Sequence, residues 1–238
     1  MAANFFDLLS WGDAGWGDDL ARGVAVTLEI SIGAFATGIV IGGFAAWVKL
    51  RGPKWAVMLA NFYSTICRAV PDLLLILLLF YAGQSALNAL LAALGAKDMG
   101  ISGFAAAIVV LGLVQGAYAS EILRGAVLAI PKGQVEAATA YGLEGMTRFR
   151  RVTVPAVVPF ALAGLSNLWM AILKDSALIS VVGTSELLFT AEQAAGSTKF
   201  YFAFYLTVAI IFYAITVVSN AFIYLVESRV RRWMPRAA

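Results

Sequence analysis

Five stretches of this chain are each long and apolar enough to cross a lipid bilayer, and no motif limits the fold as strongly. A crossing helix needs about 20 predominantly apolar residues. The stretches run from about Val24 to Val48, from Trp55 past Tyr81, from Ile101 to Leu123, from Pro155 or Pro159 to Leu173, and from Phe200 to Val226. In lipid every backbone N–H and C=O must be satisfied within the segment, so such runs become helices. The expectation is an all-α membrane protein of about five transmembrane helices. Composition agrees: 61% of residues are hydrophobic and 13% charged, where a soluble domain is about half apolar and a quarter charged. The second stretch is interrupted by Arg68 and Pro71, and Leu87 to Leu94 either extends it or forms a short surface helix.

The cations orient the chain. Lys49, Arg51 and Lys54 follow the first span, Lys132, Arg148, Arg150 and Arg151 the third, and Arg229, Arg231, Arg232 and Arg236 the fifth. The other side carries only Arg22, Lys97, Lys174 and Lys199 outside the clear spans. Cytoplasmic loops are enriched in Lys and Arg, so the N-terminus is expected outside and the C-terminus in the cytoplasm. Asp7, Asp13, Asp18 and Asp19 stand where a secretory signal has its basic region. Trp11 and Trp16 fit interface anchors. The absence of histidine excludes His-based triads and His metal ligands. One cysteine, Cys67, excludes an internal disulfide. The net charge is +3, with the positive residues at the ends of apolar runs, which suits lipid headgroups and not nucleic acid.

A charge at mid-bilayer costs roughly 3 kcal/mol, so charges inside the runs need a reason. They are Glu29, Arg68, Asp72, Glu121 and Glu227. Glu121 and Arg124 are three apart, on one helix face, and read as a structural pair. Glu29 is either a rim contact or a functional group. Around Arg68 and Asp72, Pro71 removes a backbone hydrogen bond and bends the span. Arg68 is then either functional, a partner of Asp72, or a helix-end charge. Between the last two spans, LKDSALISVVGTSELLFTAEQAAGST is too short for two crossings. It reads as a re-entrant or surface-lying segment on the outer side, and irregular backbone at membrane depth is tolerated only against protein or a water-filled cavity. Asn167, Lys174, Asp175 and Ser176, with Arg68, are the candidates to line that cavity. Lys174 and Asp175 read equally well as the end of a helix at the interface.

One polar insert stands out, EAATAYGLEGMTRFRRVTVP, from Glu136 to Pro155. Ala137, Ala138 and Ala140 favour helix. Gly142 suits a left-handed helix end. Leu143, Met146 and Phe149 give a second helix an apolar face, and Pro155 or Pro159 suits the first turn of the next span. Such an element either lies on the lipid surface or enters a groove of a partner protein. The small alanines favour the groove.

The spacing of Glu136, Ala137, Ala138, Gly142, Val152, Val154 and Pro155 resembles the EAA loop of bacterial ABC importer permeases. Val152 and Val154 replace the family's usual Ile and Leu. AYASEILRGAVLAIPKGQVEAA, SNLWMAILKDSALISVVG and VVSNAFIYLVESR extend the resemblance to the polar amino acid branch, the histidine, glutamine and opine permeases, over about Gly15 to Arg232. RAVPDLLLILLLFYAG is similar to that branch's second span, but reads R-A-V-P-D-L for its usual R-G-T-P-L-L.

The resemblance implies a type I ABC importer (MetI-like) transmembrane domain in a bacterial inner membrane. Residues 1–21 would be a periplasmic lead-in, 22–232 the permease domain with its coupling loop at 131–155, and 233–238 a cytoplasmic tail. The chain would be no enzyme and bind no cofactor. It lacks a G-x-x-x-x-G-K-[ST] phosphate loop, and two copies of a separate ATPase would bind ATP and Mg. Glu136, Ala137, Ala138 and Gly142, flanked by Arg148 and Arg150, would dock that ATPase. A periplasmic binding protein would deliver an amino acid or opine. For a zwitterion, Asp175 offers an anion, Lys174 or Arg68 a cation, and Asn167 both donor and acceptor. Several family members carry an acid directly after the Asn167 position, where this chain has Leu168 and Trp169. That departure resembles one subunit of a heterodimeric pair whose other subunit keeps the acid, and it implies a related, non-identical permease that makes most of the specific substrate contacts. The competing classes are an ion-gradient-driven transporter, a membrane enzyme and a scaffold. The five spans display no inverted repeat, and the chain has no compact acid cluster.

Overall fold

A computed structural model describes residues 5–12, 15–93 and 102–231. Expectations for Asp13, Leu94, Lys97, Ile101, Arg232, Arg236 and the 233–238 tail lie outside the described residues. After a short helix α1 (Phe5–Leu8), the helices are α2 (Gly17–Arg51), α3 (Lys54–Ala69), α4 (Asp72–Ala93), α5 (Gly103–Leu128), α6 (Lys132–Ala140), α7 (Gly145–Arg148), α8 (Val154–Asp175), α9 (Leu187–Thr198) and α10 (Tyr201–Arg231). Five helical runs among them are long and apolar enough to cross a membrane: α2, α4, α5, the stretch Gly145–Val182 that contains α8, and α10.

The centre of the fold is the seam between α2 and α5. Both helices carry glycines four apart, Gly38 and Gly42 on α2, Gly112 and Gly116 on α5. A Cβ on Gly42 would lie 2.8 Å from the Gly116 carbonyl oxygen and 2.9 Å from the Ser120 nitrogen. One on Gly116 would lie 3.0 Å from Ile41 and from the Tyr63 hydroxyl. Lipid tails are as apolar as leucine, so close backbone approach through small residues, not the hydrophobic effect, draws such helices together. Around the seam Ile30, Ala34, Ile76, Leu111, Ile172 and Ile179 form the main buried cluster.

The second expected span is two helices. Proline cannot donate a backbone hydrogen bond and disfavours helix in the residue before it. Val70 is accordingly extended (φ −93°, ψ 140°), and α4 restarts at Asp72. The break lies halfway along α5, where Cys67 and Leu75 pack with Val114 and Ala117. With 16 residues, α3 is not by itself among the crossing-length helices. Leu87 to Ala93 continue α4 and do not form a separate helix.

Two further expectations change. The fourth span does not begin afresh at a proline: α7, a π turn at Phe149–Thr153 and α8 are continuous. Val154 N–H bonds the Phe149 carbonyl, five residues back. This wider turn carries the helix into Pro155, and Pro159 lies inside α8. Second, α2 begins at Gly17, ahead of the expected Val24, and Leu20 joins Leu187, Ala191, Ala195, Phe204 and Val208 in a second cluster.

After α8 the chain tightens into a 3₁₀ segment, Ser176–Val182, stopped by Gly183 at φ 80°. Helix α9 follows as the short element expected between the last spans. It packs against α2, where a Cβ on Gly23 would come within 2.9 Å of the Leu187 Cα. Glu186 caps α9 by accepting from Phe189 N–H at 2.9 Å and from the Thr27 hydroxyl of α2 at 3.2 Å.

Candidate functional site

Three arrangements of polar groups stand out from the apolar frame. The first joins α2, α3 and α5 at the end where α5 leads into α6. Lys49 is fully enclosed, with 1% of its side chain exposed. Its Nζ donates to Ser64 Oγ at 2.6 Å, Ser120 Oγ at 3.1 Å and Glu121 Oε1 at 2.7 Å. Glu121 also accepts from Arg124 Nε at 3.0 Å, as the three-residue spacing predicts. A buried charge persists only when paired and hydrogen-bonded, and this cluster meets that condition. Arg68 is not paired with Asp72. Its Nε donates to the Ser64 carbonyl at 3.1 Å and its guanidinium lies 3.9 Å from Glu121. Position 68 is one turn from Ser64 on α3, so the side chain joins the Lys49 cluster, while Asp72 lies beyond the extended Val70 in the first turn of α4. Sequence reading identified Glu121–Arg124 but missed Lys49. The signal was one lysine with no acid on its own helix turn.

The second arrangement is the projecting elbow of α6 and α7. Helix α6 ends in a Schellman-type cap: Leu143 N–H bonds the Ala138 carbonyl at 3.0 Å and Gly142 N–H the Thr139 carbonyl at 2.9 Å. Gly142, at φ 74°, supplies the left-handed residue this cap needs. Ala138 is buried, whereas Glu136, Ala137 and Gly142 are exposed. Arg148 donates to Thr139 Oγ1 at 2.9 Å, fastening the two arms of the elbow together. Arg150 is exposed. Apolar side chains at the tip are bare: Tyr141 is 87% and Met146 68% exposed.

The third is a cavity of about 470 Å³ between α4, α5 and α8. Asn167, Leu168, Ala171, Lys174 and Asp175 line it from α8 at spacings of three and four, one face of a helix. Gln115, Tyr118 and Ile122 line it from α5, and Asp72 from the start of α4. Gln115 Nε2 donates to Asp175 Oδ2 at 2.7 Å, and the Tyr118 hydroxyl to Asp72 Oδ1 at 3.4 Å. Of the five candidates for this lining, Asn167, Lys174 and Asp175 come together here. Arg68 is committed to the Lys49 cluster. Ser176 is fully buried, its hydroxyl donating to the Leu173 carbonyl, because a serine in the last turn of a helix satisfies itself on its own backbone. Gln115 and Tyr118 were missed, although polar residues three apart inside an apolar span are themselves a signal. Asn167 also borders a second groove of about 420 Å³ with Ser166, Asn220, Tyr224 and Glu227 between α8 and α10.

The family described as "Binding-protein-dependent transport system inner membrane component" matches residues 38–232. The nopaline transport system permease protein NocQ of Agrobacterium fabrum is 43% identical, over 90% of this chain and 91% of that one. The histidine/lysine/arginine/ornithine transport system permease protein HisQ of Escherichia coli is 37% identical, over 94% and 98%. Among solved structures, an amino acid ABC transporter crystallised with histidines superposes with a TM-score of 0.78 at 28% identity, over 96% of this chain and 100% of that one. An inward-facing methionine ABC transporter, MetNI, shares the fold at a TM-score of 0.65 and 21% identity, over 87% and 96%.

Proposed function

The chain belongs to the binding-protein-dependent transport system inner membrane components, and from that premise we propose that it is a permease subunit of an ATP-driven importer of polar or basic amino acids or opines. Family membership sets aside the ion-gradient-driven carrier. The N-terminus lies outside and the C-terminus in the cytoplasm of a bacterial inner membrane, as the distribution of Lys and Arg supports. A periplasmic binding protein delivers the substrate.

One observation carries the coupling role. The elbow is a capped projection whose apolar tip, Tyr141 and Met146, has no cover among the described residues. Glu136, Ala137 and Gly142, with Arg150 beside them, form the docking face for an ATPase, while the buried Ala138 packs inside the elbow, and two ATPase copies bind the ATP and Mg. Arg148 takes a different part: it braces the elbow through Thr139. Because α6 follows α5 after three residues, movement of the docked elbow is transmitted to the Lys49–Glu121 cluster and the α2–α5 seam as to a lever. Substrate occupies the cavity lined by Asn167, Lys174 and Asp175, with the Lys174 ammonium facing a carboxylate and Asp175 an ammonium. A second, related but non-identical permease completes the path. Support for the heterodimer is the Leu168–Trp169 pair, where several family members carry an acid.

The test is co-purification from cells expressing the whole transport operon, with a mass-spectrometric inventory, comparing wild type with Gly142→Asp. The expected result is an ATPase and a second permease with wild type, and loss of the ATPase from the variant. Retention of the ATPase with full coupling by the variant would refute the docking role. Recovery of this permease alone would refute the heterodimer.

A further inference from the structure

We propose that the corner where α2 turns into α3 binds an anionic phospholipid, with Arg51 and Lys54 holding its phosphate and the apolar side chains beside them its acyl chains. Between Glu29 and Asp72 the chain has no acidic residue but four cations, Lys49, Arg51, Lys54 and Arg68. Glu121 of α5 takes two of the four, Lys49 at 2.7 Å and Arg68 at 3.9 Å. Arg51 and Lys54 are exposed, and among the described residues no carboxylate oxygen comes within 4.0 Å of either. They flank Gly52 and Pro53, as the last residue of α2 and the first of α3. One corner thus turns Lys49 inward, where α5 neutralises it, and two cations outward, where nothing described in the chain does.

The surface leading to this pair is apolar. On α2, Phe44, Trp47 and Arg51 follow at three and four residues, one face of a helix, and the two rings lie 6.0 Å apart. On α3, Trp55, Met58 and Phe62 repeat that spacing. All five apolar side chains are exposed, whereas Ser64 and Cys67 on another side of α3 are buried. Trp settles at headgroup level beside the acyl chains, and Lys and Arg near the membrane surface attract anionic lipid. An aromatic face ending in two unneutralised cations therefore matches a phospholipid in both outline and charge. A zwitterionic headgroup brings its own cation and has no net charge for the pair. A soluble anion leaves the aromatic face bare.

The experiment is photolabelling of the purified complex of this chain with its ATPase and second permease, in phosphatidylcholine vesicles. The probes are phosphatidylglycerol and phosphatidylcholine carrying the same acyl-chain diazirine. Labelled peptides are mapped by mass spectrometry and normalised to total incorporation. Each surface cation strengthens the attraction about fivefold, so phosphatidylglycerol is expected to be enriched over phosphatidylcholine about 25-fold between Phe44 and Phe62. Arg51→Gln with Lys54→Gln is expected to abolish most of that enrichment, and Arg51→Lys with Lys54→Arg to keep it. Arg229→Gln, at the exposed end of α10, is expected to leave it unchanged. Equal labelling by the two lipids in wild type, or an enrichment that survives Arg51→Gln with Lys54→Gln, overturns the proposal. Absence of both lipids from this stretch also overturns it, since a partner protein would then cover the corner.

Discussion

The α2–α5 seam and the α6–α7 elbow are joined by only three residues, yet they solve opposite problems. In the seam, Gly42 and Gly116 bring two backbones into contact and Lys49 finds all its partners within the chain. In the elbow the backbone is just as well satisfied, by the Gly142 cap and the Arg148 brace. Among the described residues, however, nothing covers Tyr141 and Met146 at its tip. Order in the elbow therefore comes from local hydrogen bonds, and its unburied surface is what an outside partner has to supply. The contrast separates residues that hold the fold from residues that use it.

The largest effect that would break this contrast is in the ionic cluster below the seam. Glu121→Ala strands the Lys49 ammonium, and losing one partner of a buried pair costs about 3–5 kcal/mol. The expected outcome is a large drop in the thermal unfolding midpoint of the detergent-solubilised complex. Replacing both residues, Lys49→Met with Glu121→Leu, should recover most of it, and a double variant as unstable as the single would mean the charge is not the cause. Next comes Gly42→Leu. Its side chain meets backbone atoms of α5 that cannot turn aside, and overpacking of this kind costs about 1–3 kcal/mol. Normal yield and melting temperature would show that the helices are not in contact at that level.

In the elbow the order reverses. Tyr141→Ala and Met146→Ala remove exposed side chains, so stability should stay within about 0.5 kcal/mol while substrate-stimulated ATP hydrolysis falls. A stability loss comparable to that of Gly42→Leu would erase the distinction between the two regions.

The smallest effect concerns Glu186, which secures α9 to α2. Burial pushes its carboxyl above the ordinary value, although N–H groups of α9 and the Thr27 hydroxyl pull the other way. A carboxyl raised in the folded state keeps its proton more readily there. Its contribution is therefore complete below the unfolded value of about 4.3 and is lost as pH rises through the folded value. The melting temperature of wild type should decline across that window, and Glu186→Gln should flatten the decline. An equal slope in both proteins would place the titration elsewhere.

Several of these elements were legible before any coordinates. Pro71 interrupts the second span, Glu121 pairs with Arg124, and Gly142 ends α6 in a left-handed turn, each for a reason confined to a few neighbouring residues. Asn167, Lys174 and Asp175 were candidates for one cavity, but that they line it from a single face of α8 emerged only from the structure. Of the readings left open for Arg68, the pair with Asp72 is the one that does not form. Its partner in sequence, Asp72, lies four residues away, but the proline break between them turns the two side chains toward different neighbours. The continuous helix through Pro155 was also missed, because a π turn leaves no compositional mark.

The sequence by itself determined how many times this chain can cross a membrane, where the polar elbow interrupts it and which family's motif that elbow carries. Those properties depend on run length, turn residues and local spacing. Which helix faces meet, where Lys49 is neutralised and which acid shares a cavity with Asp175 were decided only by the tertiary structure. Lipid and protein interior are alike in polarity, so hydrophobic patterning does not separate the packed face of a crossing helix from its lipid face. Close fit between particular side chains and backbones has to make that choice.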